Sequence, residues 1–228
     1  MEKHYLDHRK RLRERFKRTG GQGLEEYEAL ELLLTYVIPR RDVKPLAKRL
    51  IKHFGSVSKV FDARQKELEQ FPGLGNASAI LFKLVKELFI LYTKDEMMEE
   101  RDVLSSPESV IKFLRAKLAG LHNEAFLTVF LNVKNEVIAN EIISEGTVNR
   151  VVVFPRKIIE SALHHNASRV ILVHNHPSGK VKPSDEDKKL TEIIVNATKA
   201  LDIKVLDHIV VGKEGHFSFV ENNLMPQA

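Results

Sequence analysis

The sequence predicts an α+β protein in two parts, an all-helical N-terminal domain followed by a domain built on a mixed sheet. Three observations carry that expectation. Between residues 24 and 93, apolar residues recur at three- to four-residue spacing, the period of a helix face. From residue 106 onward, β-branched apolar runs alternate with helical patterns, the order of strands and helices sharing one core. Between these regions, residues 93–101 (Thr-Lys-Asp-Glu-Met-Met-Glu-Glu-Arg) are charged and unpatterned for a core. The boundary belongs there or just after, giving domains at 1–100 and 103–228.

In the first part, helices are expected at 24–36, 43–54, 57–62, 65–70 and 77–92, with breaks at Pro39, Gly55 and Pro72-Gly73. In the second, Ser106 is the N-cap of a helix running through Leu118, and strands follow near 126–132, 137–143 and 148–153. Their short connections predict antiparallel pairing. Pro155 starts a helix to His165 that crosses over to a strand at 169–173, and a helix at 184–201 precedes strands at 203–212 and 216–220.

At 228 residues, with 43% hydrophobic and 29% charged residues, the composition is that of a globular protein. There is no run of 18 uncharged apolar residues and the N-terminus is charged, so neither a membrane span nor a signal peptide is expected. A cytoplasmic location follows as the expectation. With no cysteine, disulfides and thiolate ligands are excluded, and any bound zinc must use histidine and carboxylate. Residues 1–18 hold eight Lys/Arg against three acids, a charge of +5 that equals the net charge of the whole chain. Such an arm is either an electrostatic footprint for phosphate backbones or a solvated helix face.

The chemistry concentrates at His174-Asn175-His176-Pro177, with Ser184 and Asp187 downstream. Residues i and i+2 of a strand share a side, so His174 and His176 can converge on one ion at the end of the buried strand 169–173. A carboxylate eleven residues after His176 completes a three-ligand inventory suited to Zn²⁺, leaving a fourth position open. Ser184 and Asp187 equally fit a helix start, Ser at the N-cap and an acid at N3. The two readings are compatible.

His174-x-His176-Pro177, six residues, then Ser184-x-x-Asp187 resembles the signature of the JAMM (JAB/MPN/Mov34) metalloprotease superfamily. The string His-Asn-His-Pro-Ser-Gly at 174–179 is closer still to its RadC branch. Ser-Glu-Gly-Thr-Val-Asn at 144–149, Phe154-Pro155-Arg156 and Leu206-Asp207-His208-Ile209 agree, so the resemblance covers about 103–225. It implies a cytidine-deaminase-like mixed sheet and one Zn²⁺ per chain bound by His174, His176 and Asp187. The family's catalytic glutamate maps onto Glu124, just before the strand at 126–131, with Glu145 as a rival position. The letters His-Asn-His do not make an HNH nuclease, whose residues spread over a hairpin and helix.

Phe-Pro-Gly-Leu-Gly-Asn-Ala at 71–77 resembles the hairpin of a helix-hairpin-helix module, which RadC-family proteins carry ahead of the metal domain. In such hairpins glycines, here Gly73 and Gly75, let backbone N–H groups approach a DNA phosphate. The lysine that often follows the second glycine is absent, Asn76, Ala77, Ser78 and Ala79 standing there instead.

The resemblance implies hydrolysis of peptide or isopeptide bonds, with a protein or peptide as substrate. Zinc lowers the pKa of a water ligand toward ~7. Glu124 would move the proton as a non-ligand base, and the Ser184 hydroxyl would donate to the developing oxyanion. Asn175 points to the other side of the strand end and is expected to be structural. Two alternatives stand: a DNA-associated repair or recombination protein with a structural metal, and a metal-dependent nuclease.

Overall fold

A computed structural model of the chain describes residues 4–99, 107–146, 153–213 and 215–226. It divides into two compact units, Met1–Leu88 and Phe89–Ala228. The first contains α1 (His4–Thr19), α2 (Glu26–Leu34), α3 (Lys44–Phe54), α4 (Val57–Asp62), α5 (Gln65–Gln70) and the start of α6 (Asn76–Glu99). Leu30, Leu34, Leu46, Leu50, Leu68 and Phe82 form its core, the apolar faces that the helical spacing predicts. Gly55, at φ 95°, ends α3 in the left-handed conformation that glycine adopts without strain.

The basic arm is a helix docked largely through polar groups. Leu12 is buried, and the Arg9 guanidinium donates to the carbonyls of Ile38, Pro39 and Arg41 beyond the end of α2. Arg15 pairs with Glu28 at 2.5 Å, and His8 with Glu31 at 2.8 Å. Arg9 and Arg15 are thus committed to other elements of the chain, and Lys17 pairs with Glu14 at 3.2 Å within the helix. Lys10, Arg11, Arg13, Lys17 and Arg18 are exposed.

The stretch at 93–99 continues α6. Thr93 and Met97 lie one helical turn apart and are buried, while Lys94, Asp95 and Glu99 take the exposed side. Met97 joins the core of the second unit.

That unit adds α7 (Pro107–Leu118), β1 (Ala125–Leu131), β2 (Val137–Glu145), α8 (Pro155–His164), β3 (Arg169–Asn175), α9 (Asp185–Lys199), β4 (Lys204–Gly212) and β5 (Gly215–Ser218). The five strands form a mixed sheet in the order β2-β1-β3-β4-β5. β1 is antiparallel to β2 and to β3, β3 is parallel to β4 through the α9 crossover, and β4 is antiparallel to β5. The strand expected at 148–153 and the Ser106 cap fall on residues outside the described ones, residue 153 apart. No described helix is long and apolar enough to cross a membrane.

Both sheet faces are covered, so β1 is buried along its whole length. Leu127, Val129, Ile171 and Val173 pack with Val110, Phe113 and Leu114 of α7. The alternate residues Phe126, Phe130, Val170 and Leu172 pack with Ile158 of α8 and Ile194 of α9. Glu141 of β2 ties α8 to the sheet: its carboxylate accepts from the Ser161 hydroxyl and lies 2.6 Å from His165 Nε2.

The Ser161 hydrogen bond, then that of His165, holds the Glu141 carboxyl below its ordinary range. A depressed folded pKa stabilises the fold above the unfolded value, and the gain is lost as pH falls through the folded one. Because the Glu141 side chain is 42% exposed and screened by water, Glu141→Gln should lower the melting temperature at neutral pH by only about 1–2 °C. The gap to wild type should close below the ordinary glutamate range, about pH 4. Thermal melts by circular dichroism across this range check it, and a gap indifferent to pH counts against the assignment.

Candidate metal centre

Strand alternation sets the site. Val170 and Leu172 face α8 and α9, while Ile171 and Val173 face α7. The same alternation puts His174 on the α9 side, Asn175 on the α7 side and His176, just past the strand end, back toward α9. The crossover starts α9 close to that end. Ser184 is its N-cap and accepts from the Asp187 N–H at 3.1 Å, while the Asp187 carboxylate accepts from the Ser184 N–H and hydroxyl, each at 2.7 Å. This is a capping box, and it aims Asp187 at the two histidines.

His174 Nε2 lies 3.0 Å from His176 Nε2 and 3.3 Å from Asp187 Oδ1, and His176 Nε2 lies 3.6 Å from Asp187 Oδ2. One ligand atom from each of the three residues lies within 4.8 Å of the other two, close enough for all three to reach a single ion with bonds of about 2.0–2.1 Å. Among the described residues these three form the one group able to hold a metal ion. His176 Nδ1 lies 2.8 Å from the Lys180 carbonyl, which can only accept. That nitrogen therefore carries a hydrogen, and in the neutral ring Nε2 offers its lone pair to the centre.

The loop from Pro177 to Ser184 folds tightly over the end of β4. Gly212 permits this, because a Cβ there would stand 2.5 Å from the Gly179 carbonyl oxygen. His174 is nearly inaccessible at 2% exposure, and its Nδ1 lies 2.8 Å from His208 Nε2. Burial alone would raise the Asp187 carboxyl, but hydrogen bonds from His174 and His176 in their protonated forms outweigh it and hold the group well below the usual carboxylate range. His176 is shifted upward, chiefly by its bond to Asp187, with a smaller push from Glu124. Burial pushes His208 well below the ordinary histidine value, and the neighbouring His174 adds to the shift.

The other predicted residues divide. Glu124 precedes β1, half-buried, and its charge is near enough to His176 to contribute to that ring's upward shift. Glu145 is exposed and pairs with Ala125, whose side chain faces away from the histidines. The Ser184 hydroxyl sits beside the triad with its hydrogen engaged by Asp187. Asn175 is fully buried; its amide accepts from the Ala125 N–H at 2.8 Å and donates to the Asn123 carbonyl at 3.1 Å. It clamps the backbone on either side of Glu124.

Asp207 does not reach the triad; it accepts from the Ser218 hydroxyl and the Val220 N–H at the exit of β5. Thr191 is the residue the sequence reading missed. Its hydroxyl contacts both His208 Nδ1 and the Asp187 carbonyl. Its sole signal was its place one helical turn after Asp187. In the first unit, Gly73 (φ 92°) and Gly75 form the turn into α6, and the Gly73 and Pro72 carbonyls accept from Arg41 and Arg49. Gly75 has open space where a Cβ would stand.

Residues 104–224 match the RadC-like JAB domain family, and residues 4–80 match the UPF0758 N-terminal family. A UPF0758 protein of Fusobacterium nucleatum subsp. nucleatum is 40% identical over 230 residues, covering 98% of this chain and 99% of that protein. The JAB domain match and the convergence of two histidines and an aspartate are together compatible with a bound metal ion. The mixed five-stranded sheet, the site at the end of its third strand and the near full-length likeness lead to one assignment: the chain belongs to the RadC family of JAB-domain proteins.

Proposed function

We propose that the chain is a zinc-dependent hydrolase of amide bonds, acting on a protein or peptide through a single ion held by His174, His176 and Asp187. The convergence of these three side chains carries the reading. Two imidazoles and one carboxylate suit Zn²⁺ and leave a coordination position open, the arrangement of catalytic rather than structural sites. The family match supports a metal-dependent protein of JAB type. One ligand group among the described residues favours acyl chemistry over phosphodiester cleavage, which often uses two metals.

When bound, the ion supplies Lewis-acid activation of a water and of the scissile carbonyl. Glu124, outside the ligand set and electrostatically coupled to His176, takes the proton from the attacking water and returns it to the leaving amine. Asn175 positions that carboxylate through the flanking backbone. To stabilise the developing oxyanion, the Ser184 hydroxyl would exchange its bond to Asp187 for one to the substrate oxygen, a contribution of about 3–4 kcal/mol.

Elemental analysis of purified protein should find about one zinc per chain. His176→Ala should abolish stoichiometric zinc while far-ultraviolet circular dichroism stays helical; equal zinc in both proteins would sink the ligand assignment.

Glu124→Gln should retain zinc and lose about 10²–10⁴-fold in peptidase rate. Glu145→Gln should keep both. If Glu145→Gln instead loses activity with its zinc intact, the base has been misassigned.

A second reading, that the N-terminal unit contacts nucleic-acid phosphates, is favoured by one surface. Lys10, Arg13 and Lys17 fall on one face of α1 and line, with Arg9, a cavity of about 370 Å³. Because Arg9 and Leu12 are buried, removing the arm would disturb the fold, so the test neutralises exposed charge only. Changing Lys10, Arg13 and Lys17 together to Gln should flatten the log–log salt dependence of duplex binding by up to roughly 3. Gly75→Val, which the open space tolerates, should weaken binding if the hairpin N–H groups approach a phosphate. No binding by wild type to duplex, single-stranded or branched DNA at low salt removes this reading.

A further inference from the structure

Behind the candidate ligands runs a buried polar chain whose direction is fixed by its first member. Thr191 Oγ1 lies 2.6 Å from the Asp187 carbonyl oxygen and 2.6 Å from His208 Nδ1. His208 Nε2 lies 2.8 Å from His174 Nδ1. Thr191 and His208 are each at 0% exposure, and His174 at 2%. No water shares these contacts at such burial, so each hydrogen must be assigned within the chain itself.

A hydroxyl has one hydrogen, and a carbonyl oxygen can only accept. Thr191 therefore donates to the Asp187 carbonyl, the usual bond of a helical threonine to the residue four positions earlier. Toward His208 it accepts. His208 must then carry its hydrogen on Nδ1, and its Nε2 is a lone pair. That lone pair requires a hydrogen on His174 Nδ1, which in the neutral ring leaves His174 Nε2 bare and facing His176 and Asp187. Run in the opposite direction, the chain would place a hydrogen on His174 Nε2 and block it as a ligand.

We propose that Thr191 and His208 are a positioning pair that fixes the Nδ1–H tautomer of His174, presenting its Nε2 lone pair to a metal ion. The proposal rests on the metal-centre reading above. Neither residue touches the centre. They act through His174, and because Thr191 is anchored on the Asp187 carbonyl, the ring is keyed to the same helical turn that supplies the carboxylate ligand.

The test uses the full-length chain, with zinc as the probe, in two readouts. Long-range ¹H–¹⁵N NMR on the metal-free protein reports the His174 tautomer, and competition with a chromophoric chelator reports zinc affinity. Wild type should show His174 as Nδ1–H. Thr191→Val, which keeps the branched shape and removes the hydroxyl, should mix the tautomers and weaken zinc binding by about 10–100-fold. Thr191→Ser should restore both. His208→Phe, which keeps an aromatic ring between His174 and Phe219, should weaken zinc binding to a similar extent; if it fails to fold, the Thr191 variants carry the test alone. A wild-type tautomer and affinity in Thr191→Val overturns the proposal. So does a Thr191→Ser variant as impaired as the valine one, since packing rather than the hydroxyl would then be responsible. If wild type binds no zinc, the metal reading fails, and the tautomer in wild type and Thr191→Val still decides the relay.

Discussion

The parallel pairing of β3 with β4 is the constraint from which the site follows. Two parallel neighbours need a crossover, and here that crossover is α9. A crossover helix must begin beyond the C-terminal end of the first strand, so the first turn of α9 comes to lie over His174 and His176. Ligand sites in sheets of this kind gather at such strand ends for the same reason. The helix start has an electrostatic cost for a cation, because its free N–H groups carry the positive end of the helix dipole. Asp185, Glu186 and Asp187 in that first turn offset it. Only Asp187, at N3, also points at the two histidines.

Asp187 resolves an ambiguity that spacing alone leaves open. Ser184 followed by an acid at N3 is the pattern of a capping box, and two histidines followed by an acid is the pattern of a metal site. The capping box is formed, and it is compatible with the second pattern: Oδ2 takes the Ser184 N–H and hydroxyl, and Oδ1 faces His174. The cap orients the carboxylate at no further conformational cost, because its hydrogen bonds are those the helix start needs anyway. A carboxylate fixed in this way loses less freedom on binding an ion than one on a mobile loop.

The strand–helix order of the second unit was legible, because buried strands and amphipathic helices write their periods into the sequence; Arg169–Asn175 and Asp185–Lys199 lie close to where alternation and helical spacing put them. The helix α1 was not legible as a packed element. Its docking face is His8, Arg9, Leu12 and Arg15, so a search for apolar periodicity sees one leucine among charges. The continuation of α6 through 93–99 was hidden similarly, since Thr93 and Met97 alone mark its buried side. In the site, His174, His176 and Asp187 stood out through residue type and spacing. Thr191 and the clamping role of Asn175 did not. Their partners lie 17 to 52 residues away in sequence, and only the assembled sheet brings them together.

The buried polar chain also bears on what His174, His176 and Asp187 can hold between them. Thr191, His208 and His174 are satisfied in one direction only, and that direction ends in a lone pair. The Lys180 carbonyl does the same for His176. Two nitrogen lone pairs and an ionised carboxylate then converge within 3.0–3.6 Å. Such a cluster repels itself unless a cation stands among its members, and only a proton or a metal ion is small enough. A proton can serve one pair at a time, which is the sense of the raised His176. A divalent ion could serve all three at once, and the convergence of one ligand atom from each within 4.8 Å is compatible with one. The folded chain spends its buried hydrogen bonds on exposing lone pairs to one point, an arrangement that packing alone gives no reason to build.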